Sequence, residues 1–139
     1  MINKTSNNTS TRTKPMVILI AEDDDISFAY LEILLASNNC KILRTIDGLK
    51  TVEMVRNHPE IDIVLMDIKM PILDGISATM QIREFNKEIP IIAQTAYVFE
   101  SDRHEALNAG CNDYLAKPIQ VKGFINKMHK YLYPDTMAV

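Results

Sequence analysis

The sequence predicts a single α/β domain built on a parallel β-sheet with helices on both faces. From Met16 onward, short apolar runs of four to six residues alternate with longer amphipathic stretches at helical spacing. The runs are nearly continuous, as expected for strands that are buried on both faces. At 139 residues the chain is long enough for one core and too short for two ordinary domains. Such alternation of strands and helices is typical of a doubly wound sheet.

Three strands and two helices are predicted in the first half of the chain. In order, they are a strand at 16–21, a helix at 26–37, a strand at 41–45, a helix ending near 57 and a strand at 61–66. Phe28, Leu31 and Leu35 give the first helix its apolar face. Asp47 and Gly48 predict a turn before the second helix.

The second half of the chain continues the alternation. A helix follows Asp74 and Gly75, and then come a strand at 90–95, a helix at 100–109, a strand at 113–116 and a helix at about 119–132. Gly110 is a favourable residue for ending the fourth helix. The simplest arrangement of five such units is a flavodoxin-like sheet with the strand order 2-1-3-4-5.

Polar side chains gather where the predicted strands end. The first strand is followed by Glu22, Asp23, Asp24 and Asp25, the third by Asp67 and the fifth by Lys117, and the fourth ends in Thr95. In the order 2-1-3-4-5 these four strands are neighbours, and such sheets bind ligands at the carboxyl ends of their strands. The sequence therefore predicts one cleft that contains acids, a hydroxyl and an amine.

The clustered acids predict a bound divalent cation. Carboxylates within a few ångströms of one another repel and raise one another's pKa, and Mg²⁺ relieves that repulsion. Asp67 would then be an oxygen nucleophile beside a metal and the cationic Lys117, which suits phosphoryl transfer to a carboxylate. Taken singly, the residues have simpler interpretations: Asp24 or Asp25 caps the first helix, Asp67 forms a cap or turn, and Lys117 is solvated.

Four motifs follow in order: ILIAEDD (18–24), LMDIKMPILDG (65–75), IIAQTAY (91–97) and CNDYLAKPI (111–119). With them, residues 16 to about 133 resemble a response-regulator receiver domain of two-component signalling. The resemblance implies that Asp67 is the phospho-accepting aspartate. It also implies that Glu22, Asp23, Asp67 and the backbone carbonyl of Lys69 hold Mg²⁺ or Mn²⁺, with Asp23 the more direct ligand of the acidic pair.

The resemblance assigns roles to the remaining polar positions as well. Thr95 and Ala96 would bind the phosphoryl group, and Lys117 would pair with it. Thr95 and Tyr114 would form the switch, in which the aromatic ring turns inward on activation. A cis peptide bond is implied before Pro118.

Two further positions are predicted to tune the lifetime of the phosphate. Lys69, two residues after the nucleophile, and Tyr97, two residues after Thr95, should flank the path of a hydrolytic water. A phenol ring there would hinder in-line attack, so we expect slow loss of phosphate, over minutes or longer. In the alternative, both side chains point to solvent.

As a receiver, the chain would accept a phosphoryl group from a sensor histidine kinase or a histidine phosphotransfer domain of a phosphorelay. The phosphoprotein would then present a changed face, formed by the fourth helix, fifth strand and fifth helix, to a protein target. Members of this face are predicted to be Phe99, Asp102, Arg103, Ala106, Tyr114, Gln120 and Lys122. It would be a phospho-acceptor rather than an enzyme, a monomer or a phosphorylation-dependent dimer, and either a stand-alone regulator or the receiver of a hybrid kinase.

Composition narrows the possible partners and the compartment. A net charge of −3 does not indicate nucleic acid or a membrane surface. The longest apolar run, Met16 to Ala21, is far short of the roughly 20 residues of a membrane span. Two cysteines outside any metal motif favour a reducing, cytoplasmic location. Residues 1–15 are expected to be a leader or linker, 16–133 the receiver domain and 134–139 a tail.

Other functions of the same architecture stay open. One alternative is a haloacid-dehalogenase-type phosphatase, which would hydrolyse its aspartyl phosphate with Mg²⁺. Enzymes of that type have a second Asp, two residues after the nucleophile, that serves as acid and base. Here that position is Lys69. A flavodoxin needs a donor-rich phosphate loop after the first strand, where this chain has acids that repel phosphate. A protein-interaction module that works without phosphate is the third alternative.

Overall fold

Five strands and five helices alternate along the chain in the computed structural model, which describes residues 14–36, 39–96 and 99–132. The strands are β1 (Met16–Ala21), β2 (Cys40–Thr45), β3 (Ile63–Asp67), β4 (Ile91–Thr95) and β5 (Asp113–Ala116). The helices are α1 (Asp25–Leu35), α2 (Gly48–Asn57), α3 (Gly75–Phe85), α4 (Glu100–Ala109) and α5 (Val121–Leu132). Every predicted element is therefore present.

All strand pairs are parallel, and the sheet order is β2-β1-β3-β4-β5. This confirms the predicted order. The order reverses between β1 and β3, because β2 lies on the other side of β1. The crevice beyond the carboxyl ends of β1 and β3 is thus the expected ligand position.

Two element boundaries differ from the prediction in ways that matter for the site. We expected β3 to end at Met66, but the strand includes Asp67, whose backbone pairs in register with Gln94 on β4. The last helix begins at Val121 rather than near residue 119. Asp67 is therefore held by the sheet ladder itself and not by a loop.

Three helices begin with an aspartate that accepts a backbone hydrogen bond. Asp24, Asp47 and Asp74 each accept from the N–H three residues later, at 2.8, 2.7 and 2.8 Å. Such caps satisfy donors that the first helical turn leaves unpaired. The expectation that one acid after β1 caps α1 is thus confirmed for Asp24. Gly110, at φ 118°, ends α4 as predicted.

The sheet separates two buried apolar layers. One contains Val64, Met66 and Ala93 and packs under α2, α3 and α4, with Ala106 as the fully buried contact from α4. The other contains Ile20, Leu65 and Ile92 and packs under α1 and α5 around the ring of Phe124. Alternation along each strand divides its side chains between these layers.

Ala106 corrects one predicted surface residue. We expected it on the exposed face formed by α4, β5 and α5, but its side chain is buried in the core under that helix. Phe99, Arg103, Gln120 and Lys122 are exposed, as that face requires.

Several predictions lie outside the described residues: Tyr97, most of the segment 1–15, and the tail 134–139. Among the residues that the structure does describe, no helix is long and apolar enough to span a bilayer.

Candidate functional site

Three carboxylates from two neighbouring strands meet at the crevice. Glu22 follows β1 directly, Asp23 comes next, and Asp67 is the last residue of β3. One oxygen from each lies within 4.8 Å of the others. Glu22 and Asp67 are buried, whereas Asp23 is exposed. The pairing of β1 with β3 brings these acids together, although 45 positions separate Glu22 from Asp67 in the sequence.

The other two acids of the run after β1 do not join this cluster. Asp24 caps α1 by accepting from the Ser27 N–H at 2.8 Å. Asp25 points to Arg44, with 2.9 Å between its carboxylate and the guanidinium. The run of four acids is therefore divided between two potential ligands, one helix cap and one ion pair.

Lys117 reaches the same crevice from the loop after β5. Its Nζ lies 2.8 Å from Glu22 Oε1 and 3.5 Å from Asp67 Oδ2. The backbone N–H of Lys117 donates to the Thr95 carbonyl at 2.8 Å, which anchors the loop to β4. The Lys117–Pro118 peptide bond is cis, as the resemblance implies.

Burial and charge together perturb Asp67. Removal from water, and then the negative charge of Glu22, raise the pKa of Asp67 to about 7, although Lys117 and the Lys69 N–H act in the opposite direction. Burial alone would lower the pKa of Lys117, but its contacts with Glu22 and Asp67 raise that pKa overall. Without a bound cation, the amine of Lys117 thus offsets only part of the cost of ionising Asp67.

These residues fit a hard divalent cation. Three carboxylates within 4.8 Å offer oxygen ligands, which Mg²⁺ prefers. Burial, and then the charge of Glu22, raise the pKa of Asp67, and a bound cation would favour its ionised form. The Lys69 N–H donates to Asp67 Oδ1 at 3.2 Å. The predicted role of the Lys69 carbonyl as a ligand stays a prediction.

The predicted phosphoryl-binding and switch residues border the acids. Thr95 ends β4 next to Asp67 on β3 and is buried, whereas Ala96 is exposed. Tyr114, on β5, is half-buried and packs against the core layer under α2, α3 and α4. The sheet therefore brings Thr95 and Lys117 to the acid cluster. Their roles toward a phosphoryl group stay predictions, and Tyr97 is not among the described residues.

Gly75 has a packing role that the sequence did not reveal. We interpreted the Asp-Gly pair only as a break before α3. A Cβ at Gly75 would overlap the backbone carbonyl of Asp67 and come within 2.9 Å of the Cα of Ile68. The Gly75 N–H also donates to the Ile68 carbonyl at 2.9 Å. Only glycine allows the start of α3 to pack this closely on the strand end that carries Asp67.

Two further residues near the site were missed. Arg44, on β2, donates from Nε to the Glu22 carbonyl at 3.0 Å, and its guanidinium lies 4.4 Å from the centre of the Phe28 ring. Together with the Asp25 contact, this holds the backbone of the acidic loop. Gln94 is the other, an amide buried within a strand that otherwise reads as apolar. Glutamine before Thr95 was the available clue in the sequence.

Comparison with known proteins gives the same picture. The model of the response regulator receiver domain family matches residues 18–129. The polar-differentiation response regulator DivK of Brucella anthropi is 31% identical over 120 residues, which cover 85% of this chain and 97% of DivK.

Solved structures of 28–34% identity superpose closely. The receiver domain of sensor histidine kinase PA1611 from Pseudomonas aeruginosa PAO1, with a magnesium ion coordinated in its active-site cleft, has a TM-score of 0.78 at 34% identity and covers 85% of this chain and 98% of that one. The receiver domain of Ssk1 of Saccharomyces cerevisiae, crystallised with the histidine phosphotransfer protein Ypd1, has a TM-score of 0.78 at 29% identity, covering 85% and 89%. The family match, the parallel 2-1-3-4-5 sheet and the acidic crevice agree, and the chain belongs to the response-regulator receiver domain family of two-component signalling.

Proposed function

We propose that this chain accepts a phosphoryl group on Asp67 from a histidine kinase or a histidine phosphotransfer protein, in a reaction that depends on Mg²⁺. The observation that carries the proposal is the placement of Asp67, a buried carboxylate within 4.8 Å of two other acids and 3.5 Å from the Lys117 amine. A carboxylate held this way can act as a nucleophile in phosphoryl transfer without a strong base to activate it. The reaction needs instead cations that neutralise the negative charge of the carboxylate and the phosphoryl oxygens.

The step transfers one phosphoryl group between two nucleophiles. An oxygen of Asp67 attacks the phosphorus of a phosphohistidine, the phosphorus–nitrogen bond breaks, and its electron pair returns to the imidazole. Bound Mg²⁺, held by Asp23, Asp67 and the Lys69 carbonyl, would neutralise charge on the transferring oxygens. Lys117 supplies a second cation, and the ladder bonds of β3 keep Asp67 in place.

Phosphorylation would be read at the α4-β5-α5 face. New charge and acceptor oxygens at Asp67 draw the Thr95 hydroxyl toward them, and Tyr114 turns into the space that Thr95 leaves. Tyr114 supports this role because it is half-buried between the core and the surface. Since Ala106 is buried, the exposed members of the face are Phe99, Arg103, Gln120 and Lys122.

An apolar stripe on α1 supports docking of the phosphodonor beside the site. Ile26, Tyr30 and Ile33 are spaced four and three residues apart and are 81%, 40% and 72% exposed. They share one helix face, which begins at the Asp24 cap adjoining the metal ligands. The Ssk1 receiver binds the phosphotransfer protein Ypd1, and we propose a donor of that kind here.

Lys69 argues against a multiple-turnover phosphatase, because the chain has a lysine where those enzymes place their acid–base aspartate. We therefore propose a signalling phospho-acceptor with slow loss of phosphate, governed by Lys69 and Tyr97. The receiver unit would span 16–133, flanked by 1–15 and 134–139. A cytoplasmic location follows from the proposed donor and agrees with two unpaired cysteines, Cys40 and Cys111.

Intact-protein mass spectrometry tests the proposal. The protein is incubated with Mg²⁺ and acetyl phosphate or phosphoramidate beside the Asp67→Asn variant. We expect a gain of one phosphoryl group, about 80 Da, in the wild type alone. Equal gain in both proteins would place the phosphate elsewhere. No gain from these small donors or from a phosphotransfer protein would favour an interaction module that works without phosphate.

A further inference from the structure

Gln94 is the neighbour of Asp67 across the sheet. The two residues pair in register on β4 and β3. Glu22 is level with them, because it follows Ala21, which pairs with Met66, the residue before Asp67. The residues two positions earlier in each strand belong to the apolar layer under α1 and α5. Since side chains alternate along a strand, Glu22, Asp67 and Gln94 form a polar row on that same face of the sheet.

The carboxamide of Gln94 is buried and unpaired. The residue is 1% exposed, yet neither its amide nitrogen nor its amide oxygen has a hydrogen-bond partner in the part of the chain that the structure describes. A buried amide without partners is costly, and native proteins rarely leave both atoms unpaired. Neither atom is accessible to water, so a partner has to come from the protein itself. The amide therefore indicates a second arrangement of the site in which it is hydrogen-bonded.

Lys117 pairs with the two carboxylates of this row in the present structure. Its Nζ lies 2.8 Å from Glu22 Oε1 and 3.5 Å from Asp67 Oδ2. Glu22 is fully buried, and its Oε2 accepts from the Asp24 N–H at 3.2 Å. A buried carboxylate that loses its cation is strongly destabilised unless another donor replaces it.

Gln94 lies within reach of Glu22. Neighbouring strands are about 4.8 Å apart, so the two residues are separated by two such spacings, which a glutamate and a glutamine side chain can span together. Glu22, Gln94 and Lys117 also border the same crevice beside α1. The unpaired amide thus lies next to the ion pair that phosphorylation would disturb.

We propose that Gln94 is a positioning residue for phosphoryl transfer, whose carboxamide N–H donates to the Glu22 carboxylate when Lys117 turns from Glu22 to the phosphoryl oxygens. The exchange satisfies both groups, because the unpaired amide gains an acceptor and the buried carboxylate keeps a donor. Gln94 thereby stabilises the phosphorylated arrangement of Lys117 relative to the unphosphorylated one. This role rests on the proposed function and adds to it a residue that touches neither the metal nor the phosphoryl group.

Beryllofluoride, which mimics a phosphoryl group on an aspartate in the presence of Mg²⁺, tests this role. Affinities for Mg²⁺ alone, and for beryllofluoride at saturating Mg²⁺, are measured by NMR titration of the wild type, Gln94→Leu and Ile92→Leu. Leucine at position 94 removes the amide and fills a similar volume. Ile92 belongs to the same apolar layer, so Ile92→Leu is a control that changes packing and no polar group.

The expected effects on Gln94→Leu have opposite signs. Without ligands it should melt at a higher temperature than the wild type, because the unpaired amide is gone. It should bind Mg²⁺ alone with the affinity of the wild type, since Lys117 then stays on Glu22, but bind beryllofluoride about tenfold more weakly. In the wild type, beryllofluoride should shift the signals of the Gln94 side-chain N–H groups and slow their hydrogen exchange.

The outcomes separate this role from the proposed function. Equal affinity of Gln94→Leu and the wild type for beryllofluoride would overturn the role of Gln94 and leave the proposed function standing. An equal loss of affinity in Ile92→Leu would show a packing effect, and weaker binding of Mg²⁺ alone by Gln94→Leu would show a damaged metal site; either result overturns the role too. If the wild type neither binds beryllofluoride nor gains phosphoryl mass, the proposed function itself is refuted, and the role of Gln94 with it.

Discussion

Replacing Asp67 by asparagine should stabilise the metal-free protein. Its pKa rises from the ordinary 3.8 to about 7 on folding, because burial and the charge of Glu22 disfavour the carboxylate. A shift of about three units corresponds to about 4 kcal/mol of folding free energy lost when Asp67 is ionised. The side chain is 6% exposed, so solvent screening reduces this figure little. This shift already includes the attraction of Lys117. Asparagine is neutral like the protonated acid, and we therefore expect a net gain of about 2–4 kcal/mol.

The sign of the pH dependence follows from the raised pKa. Between pH 3.8 and about 7 the folded protein binds more protons at Asp67 than the unfolded chain does. The stability contributed by this group is thus complete below pH 3.8 and is lost as the pH rises through about 7. The advantage of Asp67→Asn over the wild type should be small near pH 4, grow with pH and level off above pH 7.

Urea denaturation in EDTA at several pH values measures this difference, with Glu84→Gln as the control because Glu84 is exposed. Adding Mg²⁺ should stabilise the wild type more than Asp67→Asn, since a cation that binds the folded cluster offsets the same repulsion. If Asp67→Asn has the same or lower stability than the wild type at pH 8 without metal, the carboxylate is not destabilised by burial and our reasoning is refuted.

Three further predictions concern the surroundings of the cluster. Arg44→Gln and Asp25→Asn should each weaken Mg²⁺ binding by about tenfold in calorimetric titration, because both release the acidic loop. Loss of the Arg44 charge alone would make Arg44→Gln bind Mg²⁺ more tightly. Tighter binding by that variant would therefore contradict a positioning role for Arg44. Gly75→Ala should lower the free energy of unfolding in urea by about 1–3 kcal/mol, because the added Cβ overlaps the Asp67 carbonyl. The control Gly123→Ala, whose Cβ would have nothing within 4 Å, should raise it by up to about 1 kcal/mol. Equal effects of the two substitutions would refute the close approach at Gly75. Ile72 has φ 71°, which strains a β-branched residue, and its side chain is 78% exposed. Ile72→Gly should therefore raise the free energy of unfolding by about 1 kcal/mol. A lower melting temperature of this variant would show that no strain is relieved there.

Much of the site was accessible from local pattern. Strands and helices follow from the spacing of apolar residues over a few positions, and Asp67, Thr95 and Lys117 stand at strand ends that the same spacing identifies. The parallel alternation then leaves few arrangements, and the predicted one is observed. Because these properties depend on near neighbours in the chain, the sequence alone was enough to predict them.

Tertiary structure decided which residue takes which role within the site. The sequence left open whether Asp24 or Asp25 caps α1, and only the folded chain assigns the cap to Asp24 and pairs Asp25 with Arg44. Likewise, the burial of Ala106, and of Gln94 without a partner, depends on which helix covers each face of the sheet. Sequence spacing specifies which side chains share a face, but distances between strands and helices that are far apart in the chain arise only when the sheet and its two helical layers pack together.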